Sequence, residues 1–393
     1  MFLFPPYPDP PSSPTISLEG LIPYICGQTS KINENLGCFT PALPIWTRLW
    51  ESLWGKGLAS LELSPLEAQK LTLHDKGLPG IAPSTHPIIR LPSTMPDLWD
   101  FNSFHILARP EYEEAEKAAV AANPGDVDLF LVSGQSGIGA IPLIRPSAES
   151  DLQSGKSVFL MLILMRRLAL ELPTILQTQE NGVVLFYEGG VLQFLNQDDL
   201  RSCAGLGHSG SGPDRVWVLV NTGICLSDPA PIFRSHGPFF VVQATSYYPC
   251  LEIDVRSERF YMKTWSLPEL LQAYATTPSM DSRTVIFCSR PRFGRLSGGP
   301  YTARQLLYLY NTYGASPKFL SMFVHRPAAF VLRITDQMAR MIPHDLQRTF
   351  HPSESNKSSH LITIIEPAPG SRSVCRKRVA SRPAFEILLG PSH

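Results

Sequence analysis

The chain has no charge excess of either sign: 34 Lys and Arg balance 34 Asp and Glu over 393 residues. A protein that binds nucleic acid or an anionic membrane through its overall field shows a basic surplus, so composition does not support that class and leaves only a local patch open. Cysteine is sparse. Cys26, Cys38, Cys203, Cys225, Cys250, Cys288 and Cys375 are scattered, and none stands in a CxxC or Cys/His spacing of the kind a zinc site needs. They read as reduced structural thiols. A long apolar run is also missing: Val158 to Leu172, VFLMLILMRRLALEL, is interrupted by Arg166-Arg167, whereas a span needs roughly 20 apolar residues. It reads as a buried helix, and no membrane partner is expected. The start, MFLFPPYPDPPSSP, lacks the basic region and the sustained apolar stretch of a signal peptide. The expected location is intracellular, cytoplasm or nucleus.

What is present is hydrophobic content, 44% of residues, enough for at least one full-size core. Residues 1–95 are rich in Pro and Ser and are expected to be largely disordered, since they bury too little to offset chain entropy. One piece stands out. Trp46, Trp50 and Trp54 recur every fourth residue beside Leu49 and Leu53, one aromatic face of a helix that packs on its own core or docks a protein partner. Residues 96–290 alternate helical and strand patterns, which implies a parallel sheet covered by helices. The helix Glu111 to Ala122 ends at Asn123-Pro124-Gly125. Strands are expected at Asp128–Ser133, Thr174–Gln177, Gly182–Tyr187 and Val191–Leu195 (a hairpin), Arg215–Val220, Phe239–Ala244 and Arg259–Lys263. A helix follows over Leu267–Ala275 with Ser266 as its N-cap. Residues 291–393 read as a smaller helical unit, at Thr302–Tyr310, Lys318–Val324 and Pro327–Met341, then a strand at His360–Ile365 and a helix at Arg382–Leu389.

The chemistry lies in two glycine segments. A phosphate-binding loop follows a strand, turns backbone N–H groups toward oxygens, supplies one lysine, and runs into a helix N-terminus, in the pattern GxxxxGK[ST]. Here DLFLVS leads into Gly134, Gln135, Ser136, Gly137, Ile138 and Gly139, and then the pattern breaks. Sixteen residues, Ala140 to Gly155, intervene before Lys156 and Ser157, which open the apolar helix. Without them the text reads GQSGIGKSVFLMLIL, a complete loop between strand and helix. Sixteen codons keep the reading frame, so the insert 140–155 reads as an unspliced short intron or an insertion of the same origin. The reconstituted loop would hold ATP, with the Ser157 hydroxyl on Mg2+.

Further strand ends extend the site. Asn221 closes VWVLVN where an aspartate would help hold magnesium, and an amide there lacks the charge a hard cation favours. Gln243, at the end of FFVVQA, stands where a residue sensing the terminal phosphate would lie, or is a plain hydrogen-bonder. Arg290, Arg292 and Arg295 form a basic segment that either contacts phosphate, as arginine fingers do, or is a solvated loop. Arg372 to Arg382, RSVCRKRVASR, is the one basic run, read as a nuclear-import signal, a phosphate patch or a solvated turn.

FHILARPEYEEAE, the split GQSGIG and GKSVFLMLILMRRL, RVWVLVN, FFVVQATS, RFYMKTWSLPELL and LYNTYGASPKFL together resemble the ATPase module of fungal Crinkler and retrotransposon-hot-spot-like proteins. The resemblance spans Trp99 to Leu389. It implies an α/β P-loop NTPase fold of STAND or AAA type, in relatives often joined to a nuclease-like or other toxin domain. By position, Gly134, Gly139, Lys156 and Ser157 would hold nucleotide, and Asn221 replaces the family's aspartate. Two functional readings follow: an ATP-binding module in which hydrolysis is in doubt, or a degenerate pseudo-ATPase that acts as an interaction scaffold or is the inactive product of a retained intron.

Overall fold

The computed structural model describes residues 40–61, 88–90, 105–123, 127–134, 155–177, 182–194, 215–221, 239–244, 256–276, 303–313 and 363–379, with a few single residues between them. In chain order the elements are β1 (Thr40–Pro41), α1 (Pro44–Leu53), a 3-10 turn (Leu58–Leu61), β2 (Ile88–Arg90), β3 (His105–Leu107), α2 (Pro110–Ala122), β4 (Leu129–Ser133) and α3 (Gly155–Ala169). They continue with β5 (Thr174–Gln177), β6 (Val183–Tyr187), β7 (Gly190–Phe194), β8 (Val216–Asn221), β9 (Phe239–Ala244), β10 (Ser257–Tyr261), α4 (Leu267–Thr276), α5 (Ala303–Tyr313), β11 (Thr363–Pro367) and β12 (Cys375–Val379).

One sheet organises them, in the order β1-β7-β6-β5-β8-β9-β4-β10. The five strands β5, β8, β9, β4 and β10 run parallel; β6, β7 and β1 add an antiparallel flank. This is an α/β sheet, mostly parallel, as the alternation of helix and strand patterns led us to expect. Strands β4, β8 and β9 are buried along their whole length, because both faces are covered, and such strands read as unbroken apolar runs. One face gathers Phe130, Val132, Trp217, Leu219, Phe240 and Val242 under α1, α2 and α3. The other gathers Leu129, Leu131, Val218, Val220, Val241 and Phe233. No helix among the described residues is long and apolar enough to cross a membrane.

Helix α3 shows why Arg166-Arg167 sits in an apolar run. Arg166 pairs with Glu116 of α2, a carboxyl that burial pushes above the usual range even though Arg166 pulls it down. Arg167 donates to Thr174 Oγ1 and Pro173 O, each at 2.9 Å, and stacks 4.6 Å from the Trp217 ring. Arg167 anchors the end of the helix at the start of β5, and Arg166 ties it to α2. At the same end of the sheet Arg215 is buried and bonds to Asp128 Oδ1 (3.1 Å), Val127 O (2.6 Å) and Asn123 O, fixing the turn from α2 into β4.

The tryptophan segment belongs to this core. Trp46 is buried edge-on to Phe186 at 6.1 Å, Trp50 donates to Tyr187 O at 2.9 Å, and Trp54 packs beside Trp50 at 5.8 Å. Its aromatic face packs on the chain's own hairpin, so of the two readings of Trp46, Trp50 and Trp54, own core or protein partner, the structure shows the first. Part of the basic run is a strand and not a turn: Cys375–Val379 pairs with β11, and Arg376 and Arg378 both bind Glu366. The expectations at Lys318–Val324 and Arg382–Leu389, nearly all of Pro327–Met341, the arginines 290, 292 and 295, and the insert up to residue 154 lie outside the described residues.

The N-terminal piece also closes α3. Gly55 and Gly57 donate to the carbonyls of Leu168, which also accepts from Glu171 N, and Ala169 at 3.2 and 3.0 Å, helping to satisfy the acceptors at the helix end. Both glycines have positive φ, +67° and +73°. A Cβ on Gly55 meets the carboxylate end of Glu171, which can swing aside, and one on Gly57 meets nothing. Gly55→Ala and Gly57→Ala are therefore each expected to lose about 1–2 kcal/mol from backbone strain, read from urea midpoints. Unchanged midpoints would mean that residues 55–57 do not hold this conformation in solution.

Candidate functional site

Strand order singles out one point at the carboxyl edge of the sheet. After β4 the next strand of the sheet is β5, three places away on one side; after β9 it is β10, two places away on the other. Where successive connections diverge in this way, open α/β sheets bind ligands beyond the carboxyl ends of the strands. The divergence falls between the neighbours β4 and β9, at Ser133 and Ala244.

Gly134 sits at that point. Its φ of +147° belongs to the region that favours glycine, so the chain can turn sharply off the end of β4. Helix α3 runs antiparallel to the strands, because its last turn is tied to Thr174 at the start of β5. At 1.5 Å per residue it is about 22 Å long, longer than the roughly 13–20 Å of the strands it covers. Its first residues, Gly155, Lys156 and Ser157, thus lie at the carboxyl edge, on the face of β5, β8 and β9. The motif expectations over Gln135, Ser136, Gly137, Ile138 and Gly139 fall outside the described residues.

Asn221 ends β8, is 5% exposed, and pairs in register with Ala244. By alternation it shares the face of Trp217 and Leu219, and so of α3. Gln243 is fully buried on the opposite face, flanked in register by Val220 and Leu131, and among the described residues neither atom of its amide has a hydrogen-bond partner. Of the two strand-end residues singled out, only Asn221 shares the face of the lysine-bearing helix.

Among the described residues, those at the strand ends do not suit magnesium. That ion asks for a carboxylate among near-octahedral oxygens. Ser133, Gln177, Asn221 and Gln243, which stand at or next to the ends of the central strands, offer a hydroxyl and three amides. Among the described residues no group of three His, Cys, Asp or Glu side chains gathers.

Beside Ser133 lies a charged cluster that sequence patterns did not reveal. Met262 N donates to Ser133 O at 2.9 Å, so the segment after β10 runs along the root of the glycine turn. Arg109, fully buried, reaches it from the start of α2. It donates to Glu269 at 3.0 and 3.4 Å and to the carbonyls of Lys263 and Thr264, between the rings of Trp265 (4.8 Å) and Tyr112 (5.7 Å). Glu269 closes a capping box with Ser266: Ser266 N donates to it at 2.7 Å, and Glu269 N donates to Ser266 Oγ at 3.4 Å. Burial would push the Glu269 carboxyl up, but Arg109 and Ser266 hold it below its ordinary value. Glu111 binds Arg372 at 2.7 and 2.9 Å and accepts from Lys263 N. The only advance signal was Ser266-Leu-Pro-Glu269, legible as a helix start.

Tyr112 offers a check on this burial. Removal from water pushes its phenol up to about 12, the Arg109 guanidinium opposing. The unfolded chain releases this proton from about pH 10 and the folded chain does not, so stability is expected to fall between pH 10 and 12, by up to about a factor of ten in the folding constant per unit. Tyr112→Phe should flatten that part of the slope in denaturant titrations across the range; parallel slopes would contradict the buried, protonated phenol.

No family model, no curated protein and no solved structure matches this chain.

Proposed function

We propose that the chain is a nucleotide-binding module that takes ATP at the carboxyl edge of the sheet, with hydrolysis weak or lost. What supports this reading is where Gly134, the described residue of the first glycine segment, and the start of α3 fall in the sheet. Gly134 leaves β4 at the point of diverging connections, and Gly155-Lys156-Ser157 opens the helix over the same edge. Backbone amides at a helix N-terminus, one lysine and a glycine turn suit a polyphosphate. The strand order, with β9 between β4 and the strand bearing Asn221, supports a P-loop arrangement of the STAND or AAA type, and the resemblance to Crinkler and retrotransposon-hot-spot-like ATPase modules belongs to the same reading. Asn221 favours binding over turnover, since a neutral amide neither holds a hard cation well nor activates water.

Asn221 also motivates a second reading, a pseudo-ATPase that serves as a scaffold. The two part on one measurement: calorimetric titration of the full chain with ATP, beside a Lys156→Ala control. Heat of binding that the control lacks supports the first. Its absence in both forms supports the second.

A further inference from the structure

We infer that Arg372, in the turn between β11 and β12, is a positioning residue for the glycine turn at the end of β4; the inference rests on the nucleotide-binding reading above. Its ground is the way this arginine brackets one backbone bond. Met262 N donates to Ser133 O at 2.9 Å, one residue beyond the last registered pair of β10 and β4 and directly before Gly134. A bond at the end of a ladder is the first to open, because nothing past it holds the strands together. Here Arg372 holds both neighbours of Met262. Tyr261 is held directly: its N–H donates to Arg372 O at 2.8 Å, and its carbonyl accepts from Arg372 Nη1 at 3.3 Å. Lys263 is held through Glu111, whose carboxylate accepts from Lys263 N at 3.1 Å and from the guanidinium at 2.7 and 2.9 Å.

The rest of the side chain is fixed as well. Its guanidinium also pairs with Glu114 and lies 5.2 Å from the Phe260 ring. The side chain is 25% exposed and Glu111 is buried, so their attraction is screened less than that of a surface pair. The consequence for the site follows from peptide geometry. Ser133 O and Gly134 N–H belong to one planar unit, so what holds the oxygen also sets the plane from which the chain leaves β4. A turn whose root is held before the ligand arrives loses less freedom on binding, and that saving appears as affinity.

The test is ATP titration of the full chain and of its Arg372→Ala and Arg372→Lys variants, with hydrogen exchange of the Met262 amide followed on the same samples. Arg372→Ala is expected to bind ATP about fivefold or more weakly, and its Met262 amide to exchange about fivefold or more faster. Arg372→Lys keeps a cation against Glu111 and is expected to fall between alanine and the parent in both readouts. Unchanged affinity in Arg372→Ala would overturn the inference and leave the nucleotide reading standing. Weaker binding with Met262 exchange unchanged would overturn it too, since the effect would then travel by another route. No binding by the parent would overturn both. On the parent chain alone, saturating ATP is expected to slow Met262 exchange about threefold or more, and exchange indifferent to ATP would contradict the link whether or not either variant folds.

Discussion

ATP binding by the Lys156→Ala chain is expected to fall by at least about a hundredfold relative to its parent, with the urea midpoint nearly unchanged. Lysine meets phosphate as a point charge. At about 4 Å and an effective dielectric near 20 such a pair is worth roughly 4 kcal/mol, and discounting it by a third for solvent leaves about two decades of affinity. The cost to the fold is small because Lys156 occupies the first turn of α3, where alanine is a good helix former. Calorimetry and denaturation on the same samples separate the two effects. Equal affinity in both chains would remove Lys156 from the phosphate site. A fall in both affinity and stability would assign it a structural part instead.

Arg109→Ala is expected to cost about 3–5 kcal/mol of folding stability, the largest effect of any single substitution considered for this chain. Breaking a buried ion pair strands its partner, and Glu269 would remain in the core without its cation. Arg109 also fills the space between Trp265 and Tyr112, so packing is lost with charge. Because Arg109 and Ser266 hold the Glu269 carboxyl below its ordinary value, the pair's contribution is full above that ordinary value and drains away as pH falls through the lower folded one. Replacing both members by methionine is expected to recover much of the loss, since apolar side chains of similar volume often substitute for a buried pair without penalty. Urea denaturation of the two single variants and the double variant measures the coupling. A loss under about 1 kcal/mol for Arg109→Ala would show that the guanidinium is solvated.

How much of this could be read in advance differs from element to element. β8 and β9 were legible because a strand covered on both faces writes itself as an apolar run, and α3 because its periodicity survives two arginines. β10 was expected at Arg259–Lys263 and lies at Ser257–Tyr261, since its polar start, exposed at the sheet edge, carries no hydrophobic signal. β12 was missed for the same reason: CRKRV holds a hairpin through ion pairs to Glu366, and charge of one sign looks like a solvated segment. The glycine halves and Asn221 stood out by type and spacing. The Arg109 cluster did not, because its members meet across 160 residues of sequence and no local period records such contacts. Nor does spacing reveal strand order, which is what sets Gly134 beside β9.

The docking of α1 has a consequence for synthesis. Trp50 finds its carbonyl partner 137 residues later in the chain, and Trp46 waits for Phe186 in the same hairpin. At about 5–20 residues per second, the ribosome leaves this aromatic stripe without its cover for roughly 7–30 s. During that interval the tryptophan face lacks the cover the hairpin gives it, so the emerging chain presents a sticky segment whose protection depends on how quickly translation reaches residue 187.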